Sequence, residues 1–146
     1  MKSINEIDFS EKKAFLRVDF NVPFDDAGQV SDNSRILAAL PTIKYILSRG
    51  GSCILASHLG RPKGKTKELS LSKLVPELEK LLRLKVLFSE DCIGEKTESI
   101  CSNLKPGEVI LLENLRFYEE ETNADESFAK KLSNLAEIYV NDAYGA

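Results

Sequence analysis

Five short apolar runs, each separated from the next by helical periodicity, constrain this chain more than any other feature. "AFLRVDFNV" (14–22), "SCILASH" (52–58), "KVLFSE" (85–90), "EVILLEN" (108–114) and "IYVNDAY" (138–144) read as strands. They are short, β-rich or wholly apolar, and bounded by turn residues. The first helical segment follows Asn33 and ends near Ser48, with Ile36, Leu40, Ile43 and Leu47 on one stripe and "RGG" as its stop. Pro41 either kinks that helix or moves its start to near Leu40. A second segment starts at Ser70 or Ser72 and carries Leu74, Leu78, Leu81 and Leu82, with Pro76 close to the start. A shorter one covers Gly94 to Ser102. In the last, Asn123 is the candidate cap, Glu126 completes a capping box, and Phe128, Leu132 and Leu135 form the buried stripe.

Strand alternating with helix predicts crossover connections and a parallel sheet covered on both faces. The expected fold is α/β, a three-layer sandwich with a Rossmann-like parallel sheet, since strands this apolar suit a sheet buried on both sides. A chain of 146 residues fits one domain. Its net charge of −3 argues against a general nucleic-acid binder, which needs a broad basic face. No apolar run approaches the ~18 residues of a membrane span, and "MKSINEIDFSEKK" holds no apolar signal segment. Cys53, Cys92 and Cys101 are odd in number and lack metal-ligand spacing, so they read as reduced thiols of a cytoplasmic protein, with Cys53 in the core.

Ligands of such folds bind beyond the carboxyl ends of the strands. There the first strand delivers "RVDFNVP", the second "SHLGRP", the fourth "ENLRF" and the fifth "NDAYG". Alternation puts Leu16, Val18 and Phe20 on one face and Arg17, Asp19 and Asn21 on the other. Arg17, Arg35, His58, Arg61 and Arg116 can all reach this end of the sheet. Arginine forks bind phosphate or carboxylate bidentately, and several in one cleft repel each other unless an anion or a carboxylate such as Asp19 balances them. This points to a small, multiply anionic ligand. Taken singly, each residue also has a plain structural reading. His58 can be a hydrogen-bonded loop residue, Asp19 and Asn21 can pin the loop that follows, and Lys63, Lys65, Lys67 and the run Glu119, Glu120, Glu121 read as solvated. There is no GxGxxG after the first strand and no GxxxxGK[ST], so neither familiar device for nucleotide phosphates is present.

"RVDFNVP", "SDNSRILAALPTI", "SHLGRP", "LLENLRF" and "YVNDAYGA", in this order and spacing, resemble phosphoglycerate kinase from about residue 14 to 146. The resemblance implies a transferase of glycolysis that moves a phosphoryl group reversibly between 1,3-bisphosphoglycerate and ADP, giving 3-phosphoglycerate and ATP. It implies two α/β domains joined by a hinge, the first holding phosphoglycerate and the second binding ATP or ADP with Mg2+. Carried over by motif, Asp19, Phe20 and Asn21 meet the substrate's carboxylate and hydroxyl region. Arg35 stabilises the transferring phosphoryl group and is the catalytic residue. His58 and Arg61 bind substrate, Leu59 and Gly60 shape their loop, and Arg116 holds the substrate phosphate. Arg17 supports the same basic patch from behind. By analogy with other transfer arginines, loss of Arg35 is expected to cost roughly 10³ to 10⁵ in rate.

The family chain is far longer. Residues 1–146 are therefore expected to be an incomplete N-terminal phosphoglycerate-binding domain, without the hinge and nucleotide domain, holding no cofactor and unable to catalyse transfer alone. The whole enzyme is expected to be a monomer free of nucleic-acid and membrane partners. An exposed sheet edge or apolar face in the shorter chain would be a hazard for self-association. Two other readings are a stand-alone binding module for a small phosphorylated acid and a fragment that only associates with other chains.

Overall fold

Strands that are apolar on both faces need cover on both. The computed structural model, which describes residues 4–62, 64–123 and 125–141, supplies it in three layers. β1 (Lys13–Arg17), β2 (Ser52–Ala56), β3 (Val86–Ser89), β4 (Val109–Leu112) and β5 (Ile138–Asn141) form one sheet in the order β3-β4-β2-β1-β5. Every pairing is parallel, with Phe15 level with Ile54 on one side and Tyr139 on the other. The helices are α1 (Ser34–Ser48), α2 (Val75–Leu82), α3 (Glu95–Ser102), α4 (Glu119–Thr122) and α5 (Glu126–Ser133). None is long and apolar enough to cross a membrane.

Successive strand residues feed two separate cores, as the pleat requires. Ala14, Leu16, Cys53, Leu55, Val109 and Leu111 pack with Ile36, Ile43 and Ile46 of α1 and Leu78 of α2. Phe15, Ile54, Ala56, Ile110 and Leu112 pack on the opposite side with Cys101 of α3 and Phe128 and Leu132 of α5. The central strands β2 and β4 are buried at every position. The three-layer α/β sandwich expected from the sequence is the fold observed.

The strands are shorter than their apolar runs. β1 ends at Arg17, because the chain beyond it finds other partners. Val18 N–H still reaches the Ala56 carbonyl at 3.0 Å, but Val22 N–H turns back to the Phe20 carbonyl at 2.8 Å. Phe20 N–H is claimed by Ser57 Oγ at 2.9 Å. Alternation continues past the strand all the same: Leu16, Val18 and Phe20 are buried in one core, while Arg17, Asp19 and Asn21 are only half-buried. Residues 142–144 of the fifth run lie outside the described residues, as does the rest of "DAYGA".

Three helix boundaries sharpen the sequence reading. α1 runs continuously from Ser34 with Pro41 inside it, so the proline does not mark its start. Proline donates no hydrogen bond, which leaves the Leu37 carbonyl without its helical donor. Leu37 is exposed, so water can serve that carbonyl. α2 begins where a 3₁₀ turn over Leu71–Leu74, capped by Ser70, hands over at Val75, with Pro76 in the first helical turn. The last helix is capped by Asp125, whose carboxylate accepts from Phe128 N–H at 2.9 Å, and not by Asn123. Asn123 instead closes the short helix α4, donating its N–H to the Glu119 carbonyl. The helical turn at Glu119–Thr122 draws the chain past the expected cap, and Asp125 takes over that role. The three cysteines are free and buried.

Candidate functional site

The strand ends are held together by buried polar groups. Asn114, directly after β4, is fully buried. Its Nδ2 donates to the carbonyls of Leu59 at 2.8 Å and Leu69 at 2.9 Å. Its Oδ1 accepts from Leu59 N–H at 3.2 Å and Arg116 N–H at 3.0 Å. Ser57, directly after β2, accepts from Phe20 N–H and donates to the His58 carbonyl at 2.9 Å. Its own carbonyl accepts from Leu115 N–H at 3.0 Å. Glu113, 6 % exposed, accepts from Asn114 N–H and Leu71 N–H, both at 2.8 Å, and from the Ser70 hydroxyl at 2.6 Å. Buried polar groups need such partners. Here they lock three loops into one surface. The "SH" and "EN" pairs that follow wholly apolar strands were the available signal for this frame, and periodicity alone assigned them no role.

Onto this frame the structure places the expected residues. Asn21 Oδ1 accepts from Gly60 N–H at 3.0 Å, joining the loop after β1 to the loop after β2. Gly60 adopts a left-handed φ of +65°, and a Cβ there would lie 2.9 Å from Leu69 Cδ2. Both facts favour glycine. Arg35, in the first turn of α1, reaches across with Nη1 to Asp19 Oδ1 at 3.2 Å and the Asn21 carbonyl at 2.9 Å. His58 is half-buried, and the charges that act on it are Arg116, Asp19, Arg17 and Glu121. Burial and then the Arg116 guanidinium hold its imidazole below the ordinary value of 6.5, with Asp19 opposing. The ring is therefore neutral near pH 7 and suits hydrogen bonding more than charge pairing.

Two expected residues are not brought to the surface by their side chains. Phe20 is fully buried and Leu59 is 3 % exposed, both in the core under α1 and α2. They offer a ligand only their backbone. Arg61 is exposed on the loop after Gly60. Among the described residues, neither Arg61 nor Arg116 makes a side-chain hydrogen bond or ion pair. Lys65 and Lys67 are exposed, as expected, and Lys63 lies outside the described residues.

One expectation is corrected, and it concerns the partner of Arg17. Arg17 Nη2 donates to Glu121 Oε2 in a close ion pair, the side chains being 25 % and 14 % exposed. Burial lowers the Arg17 guanidinium, but Glu121 together with Tyr139 outweighs it and holds it above its ordinary value. Correspondingly, the run Glu119, Glu120, Glu121 is solvated only at its first two members. α4 turns the third inward, which sequence composition alone does not disclose.

The comparisons with known proteins agree in one direction. A family model described as phosphoglycerate kinase matches residues 4–146. Phosphoglycerate kinases from Triticum aestivum (cytosolic) and Moorella thermoacetica are each 53 % identical to this chain, over 98 % and 99 % of it respectively. Others are described as chloroplastic, such as one from Arabidopsis thaliana at 50 %. The crystal structure of phosphoglycerate kinase from Pyrococcus horikoshii OT3 superposes with a TM-score of 0.87 at 34 % identity, and the Coxiella burnetii structure with 0.86 at 32 %. The chain spans about a third of the length of these proteins, 36 % of the wheat protein and 36 % of each solved chain. A match that runs through the loops and helices, and not over one motif alone, is the mark of common descent, and the chain belongs to the phosphoglycerate kinase family.

Proposed function

We propose that this chain forms the phosphoglycerate-holding domain of an enzyme that transfers a phosphoryl group reversibly between 1,3-bisphosphoglycerate and ADP, giving 3-phosphoglycerate and ATP in glycolysis. The observation that carries this reading is that, among the described residues, the guanidinium groups of Arg61 and Arg116 on the loops after β2 and β4 have no partner, while Arg35 is held by one half-exposed carboxylate and one carbonyl. Cations left without balancing anions at the ends of neighbouring strands are a site waiting for one.

In this reading Asp19 and Asn21 orient the carboxylate and hydroxyl end of the substrate. His58 positions it by a neutral hydrogen bond, and Arg61 and Arg116 hold its phosphate. Arg35 turns from Asp19 to the transferring group, where it offsets the charge that develops in transfer. Positioning and charge neutralisation are most of what this chemistry asks of a protein. Phe20 and Leu59 fix the backbone from below. Among the described residues no group of three or more His, Cys, Asp or Glu side chains is arranged to hold a metal ion. The nucleotide, with its Mg2+, belongs in this reading to a second domain, and the enzyme acts as a cytoplasmic monomer.

The test is a titration of the chain with 3-phosphoglycerate, followed by amide and side-chain NMR shifts. Shifts centred on Asp19, Arg35, His58, Gly60 and Arg116 are expected, and Arg35→Ala should keep most of the affinity. The absence of shifts at those residues overturns the reading.

A further inference from the structure

Glu121 is the one acidic residue of α4 that turns inward, and its place in the site has no counterpart among the motifs. It lies 104 residues from Arg17 in sequence, yet the two side chains form an ion pair. Arg17 leaves the end of β1 on the same strand face as Asp19. Its guanidinium is nevertheless drawn to the α4–α5 side, where it lines a cavity of about 250 Å³ with Glu121, Phe128, Leu132 and Tyr139. Tyr139, stacked on Phe15 at 5.4 Å, is the other group close enough to act on it. Arg35, by contrast, is held on the α1 side by Asp19 and the Asn21 carbonyl. The arginines of the strand ends are thus divided: one is neutralised within the protein, and Arg61 and Arg116 have no partner among the described residues.

We propose that Glu121 is a charge-setting positioning residue that withholds Arg17 from the anion site, so that a ligand meets Arg35, Arg61 and Arg116 but not Arg17. This rests on the strand-end site binding an anion. The physical gain is reversibility. A site that must release its product should not hold it with every cation within reach, because interactions shared equally by ground and transition states slow release without speeding chemistry.

The test uses the chain itself, with inorganic phosphate as probe at low and high ionic strength. Ligand-free titration of His58 by NMR is the second readout, since Arg17 and Asp19 at the end of β1, Arg116 after β4 and Glu121 of α4 all act on that ring. Glu121→Gln is expected to tighten phosphate binding roughly fivefold at low salt, the scale of one unmasked charge acting at about 4 Å through bulk water. The gain should shrink at high salt. The His58 midpoint should fall, as a carboxylate that favours its protonated form is gone. Glu121→Asp should restore both towards the wild type. Arg17→Gln/Glu121→Gln, which removes the pair without changing net charge, should bind phosphate within about twofold of the wild type. A folded Glu121→Gln with unchanged affinity and unchanged His58 midpoint overturns the proposal. So does a double variant that loses phosphate binding, since Arg17 would then contact the anion directly. Should the single variant fail to fold, the double variant decides. A chain that binds phosphate but ignores 3-phosphoglycerate refutes the functional reading alone, and leaves the role of Glu121 to be judged by the same two readouts.

Discussion

Asn114 has no exposed surface, yet its amide serves four backbone groups, from Leu59, Leu69 and Arg116. Removing it leaves the Leu59 N–H and two carbonyls buried without partners. Asn114→Ala is expected to cost about 2–4 kcal/mol, read from the urea midpoint, because unsatisfied buried groups carry their full desolvation penalty. A loss below about 1 kcal/mol would mean that water replaces the amide. At this scale the sequence reading singled out residues whose chemistry is scarce. His58 is the chain's only histidine, and Arg61 and Arg116 lie in loops that follow strands. It failed with Asn114, Ser57 and Glu121, which are common residue types. Their roles depend on partners 37 to 104 residues away, a separation no local pattern encodes.

Secondary-structure elements were legible because hydrophobic periodicity is a local property. All five strands and the four expected helical segments exist. Their ends were less so, because an end is decided by which hydrogen-bond partner wins. Asn123 and Asp125 both qualify as caps by residue type. Only the turn of α4, which uses the Asn123 N–H, leaves Asp125 to accept from Phe128. Asp125→Ala should lower stability by about 1 kcal/mol. Asn123→Ala should stay within about 0.5 kcal/mol of the wild type, as exposed sites away from caps usually do. Thermal melts of the two variants check this directly, and the reverse ranking would restore Asn123 as the cap. Pro41 makes the same point from the other side. Alone it reads as a break, but Ile36, Leu40, Ile43 and Ile46 bury one continuous face, and that packing carries the helix through it.

The whole molecule hides its thiols in both cores. Burial pushes Cys53 up to about 12 and Cys101 up to about 11, and raises Cys92 as well. Thiolate is the reactive form. A thiol reagent such as DTNB at pH 8 should therefore label none of the three in the native chain within minutes, and all three in denaturant. Rapid labelling of the native chain would mean that a core opens locally. The sequence by itself determined the layer order, the two-sided burial of the sheet and the end of the sheet where polar residues gather. These follow from the period of apolar residues and from where each apolar run stops. Tertiary structure alone decided which cations are free. Arg17 and Arg116 are alike as letters near the end of a strand, and they differ because α4 brings a carboxylate to one and nothing described comes to the other. Charge acts through distance in space, and only the folded chain sets those distances.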